Sequence, residues 1–391
     1  MNDPVLATRL RDFGVTVFAE MTALAKQTGA LNLGQGFPDS SGPPAVLEAA
    51  RQAIADGVNQ YPPGSGLPQL RNAVAEQRDR EYGTAYDPET EVLVTFGATE
   101  AIAASLLAFC EPGDEVAVFE PYYDSYAAGI AMAGAQRRAV KLTPTPTGFV
   151  FDPDELRRAI TSRTRVLLLN SPHNPTGKVF DRRELELIAS LCQQHDLIAV
   201  TDEVYEYLTY DDFAHHTIAS LPGMRERTVA ISSGGKTYSV TGWKVGWLCA
   251  PKHLVDAVRT VKQYLTFAGG GPFQLAICEG LANQREWVEQ LRLSLQTRRD
   301  RLSGELTAAG VEVYPAQGTY FLQIDVRPFG YDDTDRFCRE LPLHAGVVAV
   351  PSTAFYDSKE TARTLARLAF CKSEEVLAEA AERLVTFAKR G

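Results

Sequence analysis

Sulfur and tryptophan are scarce in this chain: six cysteines, four methionines and three tryptophans are spread through 391 residues. The cysteines, Cys110, Cys192, Cys249, Cys278, Cys338 and Cys371, form no CxxC pair, so neither a disulfide framework nor a zinc site is suggested. A basic excess is missing as well. Lys and Arg number 39 against 49 Asp and Glu, a net charge of -10, whereas binding a nucleic-acid backbone needs a basic face. No apolar run reaches the length of a membrane span. The opening stretch MNDPVLATRLRDFG lacks the basic-then-apolar pattern of a secretory signal. These absences leave a cytoplasmic protein, without nucleic-acid or membrane partners, as the expectation. Internal repeats, low-complexity segments and long linkers are absent too.

What is present is an ordinary globular composition, 45% hydrophobic and 23% charged. The length suggests one large domain and a smaller one. From about residue 45, strand-like and helix-like segments alternate. EVLVTF (91–96) precedes the helical pattern ATEAIAASLLAFC, and EVAVF (115–119) precedes YYDSYAAGIAMAG. RRAVKL, RVLLLN (165–170), LIAVTDE (197–203), TVAIS and VGWLCA complete the set. Such alternation predicts an α/β fold, a mainly parallel sheet with helices on both faces. A long helical stretch from about 284 to 309, followed by VEVYP, TYFLQID, GVVAV and RLAFC, reads as a smaller α+β unit. The expected division is 46–283 for the large domain, with 1–45 and 284–391 forming the small one.

In an open α/β sheet, ligands bind outside the carboxyl ends of the strands. Four short polar clusters fall at those ends: GAT (97–99), NSPHNPTG (170–177), DEVY (202–205) and SSGGK (232–236). Any one alone is more often a turn. Together on one sheet edge they suit an aromatic aldehyde that carries a phosphate. The backbone N–H groups of Ala98 and Thr99, opening a helix after Gly97, suit the phosphate. Ser233 can add a hydroxyl and Lys244 a positive charge. Asp202 can hold a ring nitrogen protonated, which makes the ring an electron sink. Asn174 and Tyr205 can hydrogen-bond a ring hydroxylate, and Tyr123 can stack on the ring. Lys236 ends a buried β-branched strand, an expensive position for an amine unless it has a partner or a task. It can form a Schiff base.

The motif set NPTG, then Asp followed three residues later by Tyr, then Ser-x-x-Lys with a basic residue eight further on, resembles the class I aminotransferases of the fold type I pyridoxal-5'-phosphate enzymes. The resemblance covers nearly the whole chain. It implies that fold, with a seven-stranded sheet, pyridoxal 5'-phosphate as cofactor, and a homodimer with shared active sites. It also implies Lys236 as the Schiff-base residue and Tyr61, in NQYPPG, reaching the phosphate in the neighbouring subunit. Arg367, in LARLAFCK, would grip the substrate α-carboxylate, and Gly36 would line the substrate site. Phe18, Phe37, Tyr61 and Tyr123 would form the wall around the substrate side chain. Many relatives carry Arg where this chain has Lys244, which gives a point charge without the bidentate fork. The Lys occurs in the branch of kynurenine, glutamine and methionine aminotransferases, which the chain resembles in LNLGQGFPD.

The implied reaction is a ping-pong transfer of an amino group from an amino acid to a 2-oxo acid, with 2-oxoglutarate as the expected acceptor. GVNQYPPG, GATEAIAA, NSPHNPTG and KQYLTFAGGGPFQ are similar to bacterial N-succinyldiaminopimelate aminotransferases, so a lysine-biosynthesis donor is favoured. A methionine, glutamine or kynurenine aminotransferase, or a pyridoxal-phosphate β-lyase, is the alternative. A nicotinamide dehydrogenase would need G-x-G-x-x-G after the first strand, which GSGLPQ (64–69) breaks. A non-catalytic pyridoxal-binding regulator would need an added DNA-binding domain, for which length and charge leave no room. Several residues have plainer readings. Arg367 could be an ion-pair partner, and Asn170 either supports the site or caps a loop. Tyr122 and Tyr126 read as packing. His173, His215 and His216 read as loop residues without metal-ligand spacing. Trp243 and Trp247 read as core.

Overall fold

The computed structural model describes residues 5–390; the first four residues of the amino-terminal segment and Gly391 lie outside it. Seven strands form the main sheet. They are β1 (Val92–Phe96), β2 (Glu115–Glu120), β3 (Gln136–Lys141), β4 (Thr164–Asn170), β5 (Ile198–Asp202), β6 (Thr228–Ser233) and β7 (Val245–Cys249). Their spatial order is β1-β7-β6-β5-β4-β2-β3. All pairs are parallel except those of β7, which runs antiparallel to both β1 and β6. The α/β, mainly parallel sheet expected from the sequence is therefore present. Because β7 is reversed, its first residue lies at the sheet edge where the parallel strands end. Lys244, immediately before β7, thus joins Asp202 and Ser233 at one edge.

Strands buried on both faces read as continuous apolar runs, and successive side chains go to opposite sides. Val116, Val118, Val166 and Leu168 pack in one core with Ile102 and Leu106 of α1 (Gly97–Phe109) and Val255 and Val258 of α2 (Lys252–Leu265). The intervening Ala117, Phe119, Leu167 and Leu169 pack in another, with Leu185 and Ile188 of the helix Arg182–Gln194. That helix starts at a capping box, Asp181 accepting from Glu184 N and Glu184 reaching back to Asp181 N.

A second sheet is antiparallel and holds Val313–Tyr314, β8 (Phe321–Asp325), β9 (Leu365–Ala369) and Val350–Pro351 in that order. Its core takes in Met21 and Ala25 of the helix Val17–Thr28 together with Leu295, Leu302 and Leu306 of the helix Arg285–Ala308. Leu31–Asn32 pairs in parallel with Val347–Val348, so the amino-terminal segment is stitched to the carboxy-terminal part of the chain. In β9 the third residue is Arg367, opposite Gln323 of β8. No helix among the described residues is long and apolar enough to cross a membrane.

Candidate active site

A cavity of about 260 Å³ opens at the edge where β1, β5 and β6 end and β7 begins. Its lining includes Gly97, Ala98, Thr99, Tyr123, Asn174, Asp202, Tyr205, Ser233, Lys236 and Lys244, and also Gly36, Phe18 and Arg367. Of the residues expected from the sequence to form the site, only Tyr61 does not line it. Tyr61 is 82% exposed and packs edge-on against Phe267 at 5.7 Å.

Backbone geometry shapes the end of the cavity expected to take a phosphate. Gly246, on β7, lies so close to α1 that a Cβ there would sit 2.6 Å from the Gly97 carbonyl carbon and 2.7 Å from Ala98 N. Gly97 has φ +76°, and a Cβ on it would meet the Lys244 amine at 3.0 Å. The two glycines thus leave a cradle at the amino terminus of α1, with the ammonium against it. Lys244, Thr99 and Ser233 use no side-chain hydrogen bond to other described residues, and burial lowers the Lys244 pKa. Free N–H groups, two hydroxyls and a cation with no acid in contact form a donor set that fits a phosphate.

At the other end, Asp202 is buried. Tyr126 Oη donates to its Oδ2 at 2.6 Å and Val204 N to its Oδ1 at 3.2 Å. Burial still pushes its pKa up, against the lowering effect of the Tyr126 bond. A carboxylate so placed fits a cationic ring nitrogen. Tyr126 is therefore more than packing, which corrects the reading from sequence. Asn170 Nδ2 donates to the Pro172 and Asp202 carbonyls, and its Oδ1 accepts from Asn174 N. It lines the cavity and also supports the loop that presents Asn174.

Besides Lys244, the cations lining the cavity are Lys236 and Arg367. Lys236 Nζ lies 3.1 Å from Tyr320 Oη and 3.5 Å from the Gly36 carbonyl. Burial, joined by the Lys244 and Arg367 charges and opposed by Cys371 and Asp202, lowers its pKa to about 8. Arg367 is 1% exposed and meets no carboxylate within ion-pair distance among the described residues. Its Nη1 donates to Asn174 Oδ1 at 3.1 Å and its Nη2 to the Gly34 carbonyl at 2.8 Å, while the buried Nε has no partner. The rings of Phe321, Phe355 and Phe18 lie 4.1, 4.9 and 5.0 Å from its guanidinium carbon. Burial lowers its pKa to about 10. It is a guanidinium desolvated without a counter-ion, so the ion-pair reading is not realised.

The segment 34–39 forms a strap along this cavity and is gripped by its carbonyls. Besides Arg367 on Gly34, Tyr320 Oη donates to the Gly36 carbonyl at 2.6 Å and Lys372 Nζ to the Phe37 carbonyl at 2.9 Å. Lys372 Nζ also reaches Asp39 Oδ1 at 3.0 Å.

Behind the cavity lies a second polar cluster. Glu203 accepts from Arg78, Thr201 and Thr217, with His215 Nε2 at 3.3 Å; Glu206 accepts from Gln77, Tyr82 and Ser232. Burial alone would raise Glu203, but Arg78 and then His215 bring it well below the ordinary carboxylate range. His215 is thus a buried member of this cluster. His173, also buried, has Nδ1 2.8 Å from Thr176 Oγ1, and burial lowers its pKa to about 3. The described residues contain no group of side chains that could hold a metal ion. Trp247 is core as expected, and Trp243, partly buried, packs against the core and stacks on Phe273 at 4.8 Å.

A sheet edge that gathers a donor-rich cradle, a buried carboxylate, a lysine and an unpaired arginine fits an amino-group-transferring enzyme. The family model for aminotransferase class I and II matches residues 28–384, and the chain belongs to that family. It is an aminotransferase of fold type I. The chain is 52% identical, over 98% of each sequence, to a Mycobacterium tuberculosis protein named "Probable N-succinyldiaminopimelate aminotransferase DapC". It is 39% identical to the methionine aminotransferase of Escherichia coli, covering 98% of this chain and 99% of that one. Among solved structures, N-succinyldiaminopimelate aminotransferase from M. tuberculosis superposes with a TM-score of 0.96 at 53% identity, covering 98% of this chain and all of that one.

Proposed function

We propose that the chain is a cytoplasmic, pyridoxal-5'-phosphate-dependent aminotransferase that takes the amino group of N-succinyl-diaminopimelate and passes it to 2-oxoglutarate. The observation that carries the reaction class is the buried Arg367, a guanidinium facing the same cavity as Lys236 with no carboxylate of its own. It fits the α-carboxylate of an amino or 2-oxo acid, held by paired donors.

Gly97, Ala98, Thr99, Ser233 and Lys244 would hold the cofactor phosphate. Asp202 would hold the ring nitrogen, Asn174 Nδ2 and Tyr205 Oη the ring oxygen, and Tyr123 the ring face. When bound, the cofactor supplies an electron sink for the pair left behind at Cα. Lys236 Nζ, lowered by burial from the ordinary lysine value of about 10.4, is a usable base near neutral pH. In its neutral form it takes the Cα proton of a substrate oriented by Arg367. Gly36 and Phe18 flank that substrate, and the apolar enclosure keeps water from competing for the proton.

Tyr61 serves the site of a second copy in this reading. Exposed Tyr61, Tyr264, Leu265 and Phe267 supply an apolar surface that supports a two-fold dimer. The division into a large unit, 46–283, and a small one, 1–45 with 284–391, belongs to the same proposal and is supported by the Leu31–Asn32 pairing with Val347–Val348. The donor rests on the 52% identity to the mycobacterial protein and its name. Steady-state kcat/KM for N-succinyl-diaminopimelate, methionine, glutamine and kynurenine, each with 2-oxoglutarate, tests it. The succinylated donor should be the best of the four; a better turnover of any other removes the narrow assignment and leaves the transaminase.

A further inference from the structure

Tyr320 lies in the apolar run TYFLQID, where sequence alone gives it no part beyond packing. Its ring is buried, edge-on to Tyr205 at 5.2 Å, and its hydroxyl is the one side-chain group within hydrogen-bond distance of Lys236 Nζ among the described residues. The direction of that bond is fixed. A phenol has one proton, and Tyr320 gives it to the Gly36 carbonyl at 2.6 Å. Only a lone pair remains for Lys236, so Nζ must donate. Burial pushes the Tyr320 pKa well up, so the phenol stays neutral and is not itself a base.

Two acceptors therefore face Nζ, the phenol at 3.1 Å and the Gly36 carbonyl at 3.5 Å. The rings of Tyr205 and Tyr320 also lie within cation–π range, at 5.8 and 5.7 Å. Of the titratable groups around Nζ, Asp202 and the Cys371 thiol favour its charge while Lys244 and Arg367 oppose it. None of these four is hydrogen-bonded to it. The two acceptors are placed for an ammonium, while burial opposes its charge and holds the amine close to the balance between its two forms.

Resting on the aminotransferase reading above, we propose that Tyr320 is a further catalytic residue. Its hydroxyl, with the Gly36 carbonyl, receives the Lys236 ammonium while that group carries the substrate proton. In balance, the Cα–H bond breaks and its electron pair stays with the substrate carbon. The proton forms a third N–H bond on Nζ. The Lys236 ammonium would then release one of its three protons back towards the bound substrate–cofactor pair and return to the neutral amine. Tyr320 neither gains nor loses a proton; it keeps the ammonium in place and out of contact with water.

The test uses the whole enzyme in its pyridoxamine-phosphate form, in which Lys236 is free. Acetic anhydride labelling of Lys236, quantified by mass spectrometry across pH, reads the amine titration. Tyr320→Phe removes the acceptor and keeps the ring, so the midpoint should fall by roughly one pH unit or more, as expected for losing a hydrogen bond to a charged group. The primary isotope effect on kcat with a Cα-deuterated donor should rise, because proton transfer becomes slower relative to other steps. Lys372→Met loosens the same strap without touching Nζ; it should raise KM and move neither readout. A Tyr320→Phe enzyme that behaves like Lys372→Met, with the labelling midpoint and isotope effect unchanged, would mean that Tyr320 only holds the strap, and the proposal fails. The underlying reading fails separately, if borohydride reduction of pyridoxal-phosphate-loaded wild type does not mark Lys236.

Discussion

Asp202 and Glu203 are neighbours in the chain and point to opposite worlds. Asp202 faces the cavity, with two donors and a raised pKa. Glu203 faces the cluster behind the sheet edge, where Arg78, Thr201, Thr217 and His215 surround it and its pKa is depressed. Ser233 and Ser232 divide in the same way: Ser233 waits in the cradle, while Ser232 donates to Glu206. One side of the edge spends its polar groups on one another and becomes rigid. The other withholds them, and its unmet charges are the binding capacity of the site.

Substitutions on the two sides should therefore fail differently. The largest effect is expected at the cavity. Lys236→Ala should abolish turnover in a steady-state assay while leaving the melting temperature close to wild type, because it deletes an amine that the fold does not need. Retained turnover would break the whole reading. Next comes the closed cluster. Arg78→Met strands Glu203 and Glu206 without their cation and should cost on the order of 3–5 kcal/mol of stability in a denaturant titration. A loss under about 1 kcal/mol would mean the cluster is not what stiffens the edge.

Asp202→Asn keeps the shape but withdraws the charge from the ring nitrogen. A fall of about 10²–10³-fold in kcat/KM is expected, the scale of one preorganised electrostatic group. A change below tenfold would sink that pairing. The smallest effects are in pH-dependent stability of the cofactor-free chain, and there the two carboxylates have opposite signs. Glu203, depressed, supplies stability that is full above about pH 4.3 and lost as pH falls through its folded value. Asp202, raised, carries a cost that is present above its folded value and relieved as pH falls. Glu203→Gln should thus be less stable than wild type at pH 7, with the deficit shrinking in acid. Asp202→Asn should be at least as stable as wild type at pH 7, with any gain vanishing in acid. Equal signs for the two variants would contradict the comparison.

The sequence carried the cavity side well, because its residues sit in short motifs at strand ends, where an α/β sheet binds its ligands. Gly97 to Thr99, Asn174, Asp202, Tyr205, Ser233, Lys236 and Lys244 all come together there. The supporting contacts were not legible. Tyr126 meets Asp202 across 76 positions and Tyr320 meets Lys236 across 84, and a tyrosine in an apolar run looks like core until folding supplies its partner. The cluster behind was hidden for the same reason. Arg78 sits in a charged helical stretch that reads as solvated surface, yet it is buried against Glu203. Tyr61 is a different case: it is exposed, packs on Phe267 and does not line its own cavity, and its place in a second copy's site belongs to the proposal above.

The strap along the cavity is gripped chiefly through the carbonyls of Gly34, Gly36 and Phe37, with the Asp39 carboxylate and the Phe37 ring also meeting Lys372. A carbonyl is the same whatever residue bears it. Gly36 itself is fixed, since a Cβ there would lie 2.5 Å from the Phe321 ring. Phe37 is not fixed in that way; its ring lines the cavity while its backbone does the holding. Position 37 is thus a place where drift or laboratory evolution can exchange one amino-acid preference for another while the backbone grip stays, at the loss of one ring contact to Lys372, and where closely related enzymes can diverge in diet while sharing a skeleton.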